Sequence, residues 1–517
     1  MPCSPAPWSW PGYVDPVRER QRNRRRGPHP APFRLLTNPF PHVEPLRPEQ
    51  VEHIHDASLR LLADMGVRVL SAPARATFAA AGCRVDGELV HVDGDLVAHC
   101  LATVPAEFTL RARNPERSLT FGGRHVVFSA VGGPAFTSDL GRGRRSGTRA
   151  DLQDYVRLIH MLPVIHQEGG GAFEALDLPP ETRHLQLCLD LIRLTDRNWQ
   201  AYPLGRNRTA DCIDMAAIAL GTDRDGLAAA PALMAIINTN SPLTLDVPMA
   251  EGLMELAGAG QAVVVTPFTL AGAMAPATLA GALTLQNAEV LAGTCLAQLA
   301  RPGAPVMYGS FTSNVDLRSG APAFGTPEYM KAAQAGGQMA RRYGMPFRSS
   351  STTSSNTVDA QAAYESVLSL WGAVMGGANL VYHAAGWLEG GLTASVEKLV
   401  ADAEVLQMLA EWLQPIDTSA DALGVDAIAG VGHGGHFFGA AHTLERYETA
   451  FYEPLVSDRR NFERWVEDGR PDTAQRAAGV ADALREQYEQ PPLDPAVDEA
   501  LEAFVARRLE EYARLAG

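Results

Sequence analysis

The chain predicts an α/β fold: a (β/α)8 barrel of the TIM type with an N-terminal α/β extension and C-terminal helices. Three observations point there. From about residue 124, short β-branched or aromatic runs alternate with longer alanine- and leucine-rich segments, the pattern of repeated strand–helix units. Eight runs qualify: Val126–Ser129, Val164–Gln167, Asn198–Tyr202, Leu233–Asn238, Val263–Thr266, Pro305–Tyr308, Pro346–Ser350 and Leu380–His383. The segments between them carry helix start and stop signals, as at Thr326-Pro327-Glu328, where a capping hydroxyl precedes proline and a first-turn acid, and at Gly344, which ends that helix before Pro346. A doubly wound open sheet is the structural alternative.

The elements follow in chain order. Residues 1–36 are proline-rich, then arginine-rich (Arg18, Arg20, Arg22, Arg24, Arg25, Arg26), and read as a disordered or loosely docked tail. Residues 37–123 form an N-terminal α/β lobe. It opens on an amphipathic helix over Arg47–Met65, with Val51, Ile54, Leu59, Leu61 and Leu62 spaced for one face. The barrel occupies 124–450 and a helical extension 451–517. Ser395 starts a helix in which Val396, Leu399, Ala403, Leu406, Leu409 and Leu413 recur at helical spacing; the last is a charged amphipathic helix over 494–516.

Composition narrows the function. The 517 residues are 46% hydrophobic and 20% charged, as in a soluble globular protein, and the net charge of −15 argues against nucleic-acid binding. The six cysteines are scattered without a Cys-x-x-Cys pair, which fits a reducing compartment and gives no zinc or redox motif. No apolar run has membrane-spanning length, and the N-terminus lacks the order of a secretory signal, so a cytoplasmic location is expected.

In a barrel the strand ends and the loops after them carry the chemistry. Those ends are rich in amides, hydroxyls and aromatics. They hold no facing carboxylate pair and no Gly-x-Ser-x-Gly elbow. Arg348 and His383 stand near the ends of neighbouring strands, and an arginine fork suits a carboxylate. Tyr308, Phe311, Tyr382 and Trp387 recur at the same level, with Phe268 beside them, and aromatic faces attract a quaternary ammonium. Together they describe a receptor for a betaine. His433, His436 and His442 form the densest histidine cluster, but lack a third-ligand pattern and read as ordinary hydrogen-bonding groups. The Gly-x-Gly-x-x-Gly match at Gly430, Gly432 and Gly435 does not open a helix and is not read as a dinucleotide site.

The most informative stretch is Tyr308 to Tyr329, a strand–loop–helix unit whose long polar, glycine-bearing loop, 309–325, is read as a docking or gating element. A second is Gly434-Gly-His-Phe-Phe-Gly-Ala-Ala-His-Thr-Leu-Glu-Arg-Tyr, continuing through Phe451-Tyr-Glu-Pro and Asp458-Arg-Arg-Asn-Phe. Both resemble segments of the trimethylamine methyltransferase (MttB) family, and the resemblance runs from about Thr37 to the C-terminus. It implies a barrel, and transfer of a methyl group from a methylated amine to Co(I) in a separate corrinoid protein. The founding trimethylamine enzymes carry pyrrolysine at an in-frame amber codon; this sequence has ordinary residues throughout. That departure favours a quaternary amine, as in members resembling glycine betaine methyltransferase. The implied site then has Arg348 and His383 on the carboxylate and Tyr308, Phe311 and Trp387 around the cation. Asn238 and Gln167 orient the substrate or touch the corrinoid. No catalytic residue and no metal ligand is assigned. A homo-oligomer is expected. The alternatives are a metal-dependent barrel hydrolase and a non-catalytic betaine-binding protein.

Overall fold

A computed structural model describes residues 28–516 of the chain. The arginine-rich segment from Arg18 to Arg26 lies outside the described residues.

Six parallel strands form one continuous sheet, in the order His125–Ala130, Leu380–Ala385, Phe347–Ser350, Val306–Gly309, Ala262–Val265 and Met234–Ile237. The short strand Leu36–Thr37 adds antiparallel beside His125–Ala130. Single parallel bridges, Ser129 to Gln167, Gln167 to Asn198 and Gln200 to Met234, run between His125–Ala130 and Met234–Ile237. The runs expected as strands at Val164–Gln167 and Asn198–Tyr202 are thus reduced to isolated bridges. One cause is visible: the Ile165 carbonyl, a ladder acceptor in a longer strand, is taken by the Arg197 guanidinium.

Strand alternation sorts the side chains into two layers. Val127, Met234, Ala262, Val264, Met307, Leu380 and Tyr382 share an inner core. The hairpin Glu107–Leu110/Leu119–Gly122 contributes Phe108, Leu110, Leu119 and Phe121 to it. That hairpin closes the N-terminal end of the strands: the Arg111 N–H reaches the Pro231 carbonyl and the Asn379 amide reaches the Gly122 carbonyl. The other parity, including Phe128, Val263, Val265, Val306, Tyr308, Phe347 and Val381, packs outward into a second core shared with the helices.

Those helices include Leu279–Ala300, Pro327–Arg342, Ala360–Met375 and Val396–Trp412. Thr326 caps its helix by accepting from Tyr329 N at 3.1 Å, and Ser395 caps the last by accepting from Lys398 N at 3.3 Å. The N-terminal helix spans Pro48–Arg60 and ends in a π-turn, Leu61–Met65. The small sheet beside it takes a parallel strand, Thr244–Leu245, from the loop after Met234–Ile237.

The segment expected as a loop after Tyr308 is different. Phe311–Val315 is a strand, parallel to Phe268–Ala271 and antiparallel to Pro322–Ala323. All of its residues except Asn314 are buried, so a ladder replaces a free loop. Among the described residues no helix is long and apolar enough to cross a membrane.

Candidate active site

A cavity of about 580 Å³ opens at the C-terminal ends of the strands. Arg348, His383, Phe311, Trp387 and Asn238 all line it, as do Tyr382, Phe268, Phe173 and Gln200.

Arg348 is the second residue of the strand Phe347–Ser350; Phe347 takes the outward position, so alternation sends Arg348 inward. Its side chain is 1% exposed, and neither Nε nor Nη1 has a hydrogen-bond partner. The guanidinium lies 5.1 Å from the ring centres of both Phe311 and Tyr382. Burial lowers its pKa to about 10, which still leaves it charged at neutral pH. The other arginines of the cavity are paired: Arg149 with Asp190 at 2.7 Å and Arg183 with Glu174 at 2.6 Å. The cavity therefore keeps one uncompensated positive charge, and burying one is costly unless a partner arrives.

His383 reaches the cavity by a break in alternation. The pairing of Leu380–Ala385 with His125–Ala130 shifts register between Val381 and Ala385, and His383 sits at φ 54°. The bulge turns Tyr382 and His383 to the same side, their rings 3.8 Å apart. His383 Nδ1 accepts from Gly132 N at 3.3 Å. Burial, and then the Arg348 charge, hold the imidazole well below its ordinary pKa. The ring is neutral, with its hydrogen on Nε2.

The aromatic wall is braced from behind. Trp387 Nε1 donates to the Thr353 carbonyl at 3.1 Å, and Gly386 N donates to Asp402 at 2.9 Å. Lys398, in turn, pairs with Asp402 and donates to Ser366 at 2.8 Å. Gly391, at φ 98°, packs so closely that a Cβ would strike the Trp387 ring at 2.4 Å.

Two sequence-derived positions lie elsewhere. Tyr308 does not line the cavity. Met307 occupies the inner parity, so Tyr308 faces the helices, donates to Asn287 Oδ1 at 3.0 Å and stacks on Tyr343. Gln167 is fully buried and does not line the cavity; its Oε1 accepts from Gln200, which does, at 3.4 Å. His433 and His436 are on an exposed segment, and no group of three or more metal-ligating side chains is gathered among the described residues.

Glu168 was not among the sequence-derived positions. It is buried, accepts from Gly170 N at 2.6 Å and Gly171 N at 3.1 Å, and so shapes the glycine run that forms one wall. Burial raises its pKa to about 7. Its signal was an acid immediately before three glycines, a pattern that fixes a turn by side-chain-to-backbone bonds.

Comparison with known proteins gives the family. A model described as trimethylamine methyltransferase (MTTB) matches residues 16–513. The chain is 38% identical over 473 residues to glycine betaine methyltransferase of Desulfitobacterium hafniense (strain Y51), covering 91% of this chain and 98% of that protein. It is 29% identical over 476 residues to trimethylamine methyltransferase MttB of Desulfitobacterium hafniense (strain DSM 10664 / DCB-2), covering 90% and 94%. The solved monomethylamine methyltransferase MtmB of Methanosarcina barkeri is 11% identical, with coverage of 85% and 92% and a TM-score of 0.49, a likeness that carries no argument. The chain belongs to the trimethylamine methyltransferase (MttB) family and is a methyltransferase.

Proposed function

We propose that this methyltransferase takes a methyl group from a carboxylated quaternary amine, glycine betaine or a close relative, and delivers it to the Co(I) corrinoid of a partner protein. We further propose that its strands close into a full (β/α)8 barrel in a reducing cytoplasm. The bridges through Gln167, Asn198 and Gln200 support the closure. The five cysteines of the described region, all free, fit such a compartment.

One observation carries the substrate reading: a buried arginine that lines the cavity with no protein acceptor on Nε or Nη1. A carboxylate supplies the missing acceptor and charge, and the neutral His383 offers an Nε2–H beside it. The ammonium end then meets the aromatic wall. Arg348 already covers Phe311 and Tyr382, so Trp387 and Phe268 offer the freer faces. Likeness to a named glycine betaine methyltransferase over most of both chains supports the same substrate.

Bound as a zwitterion, the substrate leaves as a neutral tertiary amine and needs no proton. The site matches that demand. His383 is held neutral, and the carboxylates lining the cavity, Asp190 and Glu174, are each engaged by an arginine. This chain's contribution is orientation and the exclusion of water.

The face also suits a carrier of a large flat ring. Gly132, Gly133 and Gly169 to Gly171 strip side chains from one wall. Leu140, Leu176, Leu317 and Leu392, on four loops after strands, are each more than half exposed. When bound there, a corrinoid supplies the nucleophilic cobalt; the leucines and the glycine wall would hold its carrier.

Methyl transfer to a Co(I) corrinoid, followed by absorbance over a panel of amines, tests the reading. Turnover of glycine betaine and none of trimethylamine is expected. Turnover of trimethylamine without any quaternary amine would overturn it.

A further inference from the structure

The two freer aromatic faces of the cavity follow different strands, Phe268 after Ala262–Val265 and Trp387 after Leu380–Ala385. Both are braced from a third place. The Trp387 indole donates to the Thr353 carbonyl at 3.1 Å, and Gly390 N donates to the same oxygen at 3.1 Å. Glu389 N donates to the Ser355 carbonyl at 2.8 Å. Phe324 packs against both rings, 5.9 Å from Trp387 and 6.3 Å from Phe268 between centres, and its N–H donates to Ser354 Oγ at 2.8 Å. The wall thus hangs on three consecutive residues, Thr353 to Ser355, in the loop after Phe347–Ser350.

That tripeptide lies in neither helix nor strand, so its backbone donors need partners from elsewhere. Glu365 supplies them. It sits on the helix Ala360–Met375 and is 7% exposed. Its Oε2 accepts from Thr353 Oγ1, from Ser354 N at 2.8 Å and from Ser355 N at 3.1 Å. Gln361 Nε2 donates to Oε1 at 2.9 Å. A carboxylate is a stronger acceptor for such donors than a neutral group. Gly325, at φ 68°, lies directly against this side chain: a Cβ there would strike Glu365 Cβ at 2.3 Å. The segment carrying Phe324 therefore closes on Glu365 as well. Glu365 itself does not line the cavity, so it acts on a ligand only through the wall.

We propose, on the reading of the cavity as a receptor for a carboxylated quaternary amine, that Glu365 is the positioning residue of the aromatic wall. By holding Thr353–Ser355 it sets where the Trp387 and Phe268 rings stand. With them it sets the preference for a quaternary ammonium over a neutral group of the same shape. Cation–π attraction needs the cation over a ring face, within about 6 Å of its centre, so a loosened ring forfeits it. The carboxylate end has a different support. Arg348 stands within a strand paired on both sides, to Gly309 and to Leu380. Losing Glu365 weakens the hold on one end of the ligand and spares the other.

Titration calorimetry of the full chain with glycine betaine and with tert-butylacetate tests this. The second ligand keeps the carboxylate and carries carbon in place of the ammonium nitrogen. The wild-type chain should prefer glycine betaine, and Trp387→Ala should lower that preference several-fold. Glu365→Leu should lower the ratio of affinities about fivefold, while the affinity for tert-butylacetate itself moves by less than about twofold. Glu365→Gln keeps an oxygen for Thr353–Ser355 and should restore most of the ratio. Glu365→Leu added to Trp387→Ala should lower the ratio little further, because Trp387 is the ring tied directly to the tripeptide. Thr353→Val removes one donor to Glu365 at nearly constant volume. It should act in the same direction, and it keeps the test valid if Glu365→Leu misfolds. A wild-type chain without the preference would remove the reading of the cavity and this role together. Two results would overturn the role of Glu365 alone. One is a preference that falls in Trp387→Ala yet stays intact in Glu365→Leu or, where that variant misfolds, in Thr353→Val. The other is an equal loss of both ligands in Glu365→Leu.

Discussion

Two buried arginines sit toward opposite ends of the parallel strands, and they are solvated in opposite ways. Arg197, 3% exposed, precedes the bridge at Asn198 and donates to the carbonyls of Ile159, His160, Leu162 and Ile165. Arg348, 1% exposed, has unpaired Nε and Nη1 atoms and looks into the cavity. Burial lowers both pKa values, to about 9 and about 10. Burial alone therefore does not mark a site. Arg197 staples backbone that cannot complete a ladder, whereas Arg348 leaves its charge and two donor atoms without a protein acceptor.

Substitution should separate the two most sharply at Arg197. Arg197→Ala strands four carbonyls and opens a void, at a cost of about 3–5 kcal/mol. A large fall in the urea midpoint is expected, with loss of activity only as the fold is lost. Arg348→Met should do the reverse. Removing an unpaired buried charge leaves stability unchanged or raised by about 1 kcal/mol. Betaine affinity should fall on the order of 100-fold, about 2.7 kcal/mol, as a carboxylate loses its charged partner. Equal stability losses in the two variants would erase the contrast.

The same contrast extends to the histidines. Near Arg197, His166 Nδ1 accepts from Phe128 N and Nε2 donates to the Arg34 carbonyl, so the neutral ring satisfies both partners. Burial, and further down the Arg197 charge, lower its pKa to about 4. Between about 6.5 and 4 the unfolded chain then binds a proton the folded chain refuses, so stability falls as pH drops through that window. Urea midpoints at pH 7 and pH 5 should show the loss, and His166→Gln should reduce it. His383, also held neutral, contributes in the same direction, but His383→Gln should in addition change betaine affinity.

The smallest effect sharpens the line between the inner and outer layers. Tyr308→Phe removes the hydrogen bond to Asn287 and should cost about 1 kcal/mol while leaving KM unchanged. Trp387→Ala, on the cavity side, should raise KM several-fold through loss of an aromatic face. A KM shift in the Tyr308 variant alone would put the substrate in the wrong layer.

Why one tyrosine lies off the cavity while one arginine lines it is a matter of parity. Strand positions show in the sequence as apolar runs, and six of them form ladders where expected. The remaining two left only bridges, because a guanidinium 32 residues away takes the Ile165 carbonyl, a long-range bond no local pattern announces. Which face a residue occupies depends on where the strand begins. Arg348 followed alternation inward; Tyr308, read at the same level, lies on the outer parity behind Met307. His383 should have pointed outward by the same rule, and only the bulge after Val381 brings it to the cavity beside Tyr382. The strand at Phe311–Val315 carries three polar residues in a row between its two apolar ends, and these with the following glycine masked it as a loop.

Whether Arg348 anchors a carboxylate is decided by titration calorimetry of glycine betaine and of trimethylamine against the wild-type chain and Arg348→Met, with thermal unfolding of both proteins. The wild-type chain should bind glycine betaine far more tightly than trimethylamine, and Arg348→Met should lose this preference while unfolding no earlier. Undiminished betaine binding in the variant would contradict that role, and so would a variant whose fold fails along with its affinity.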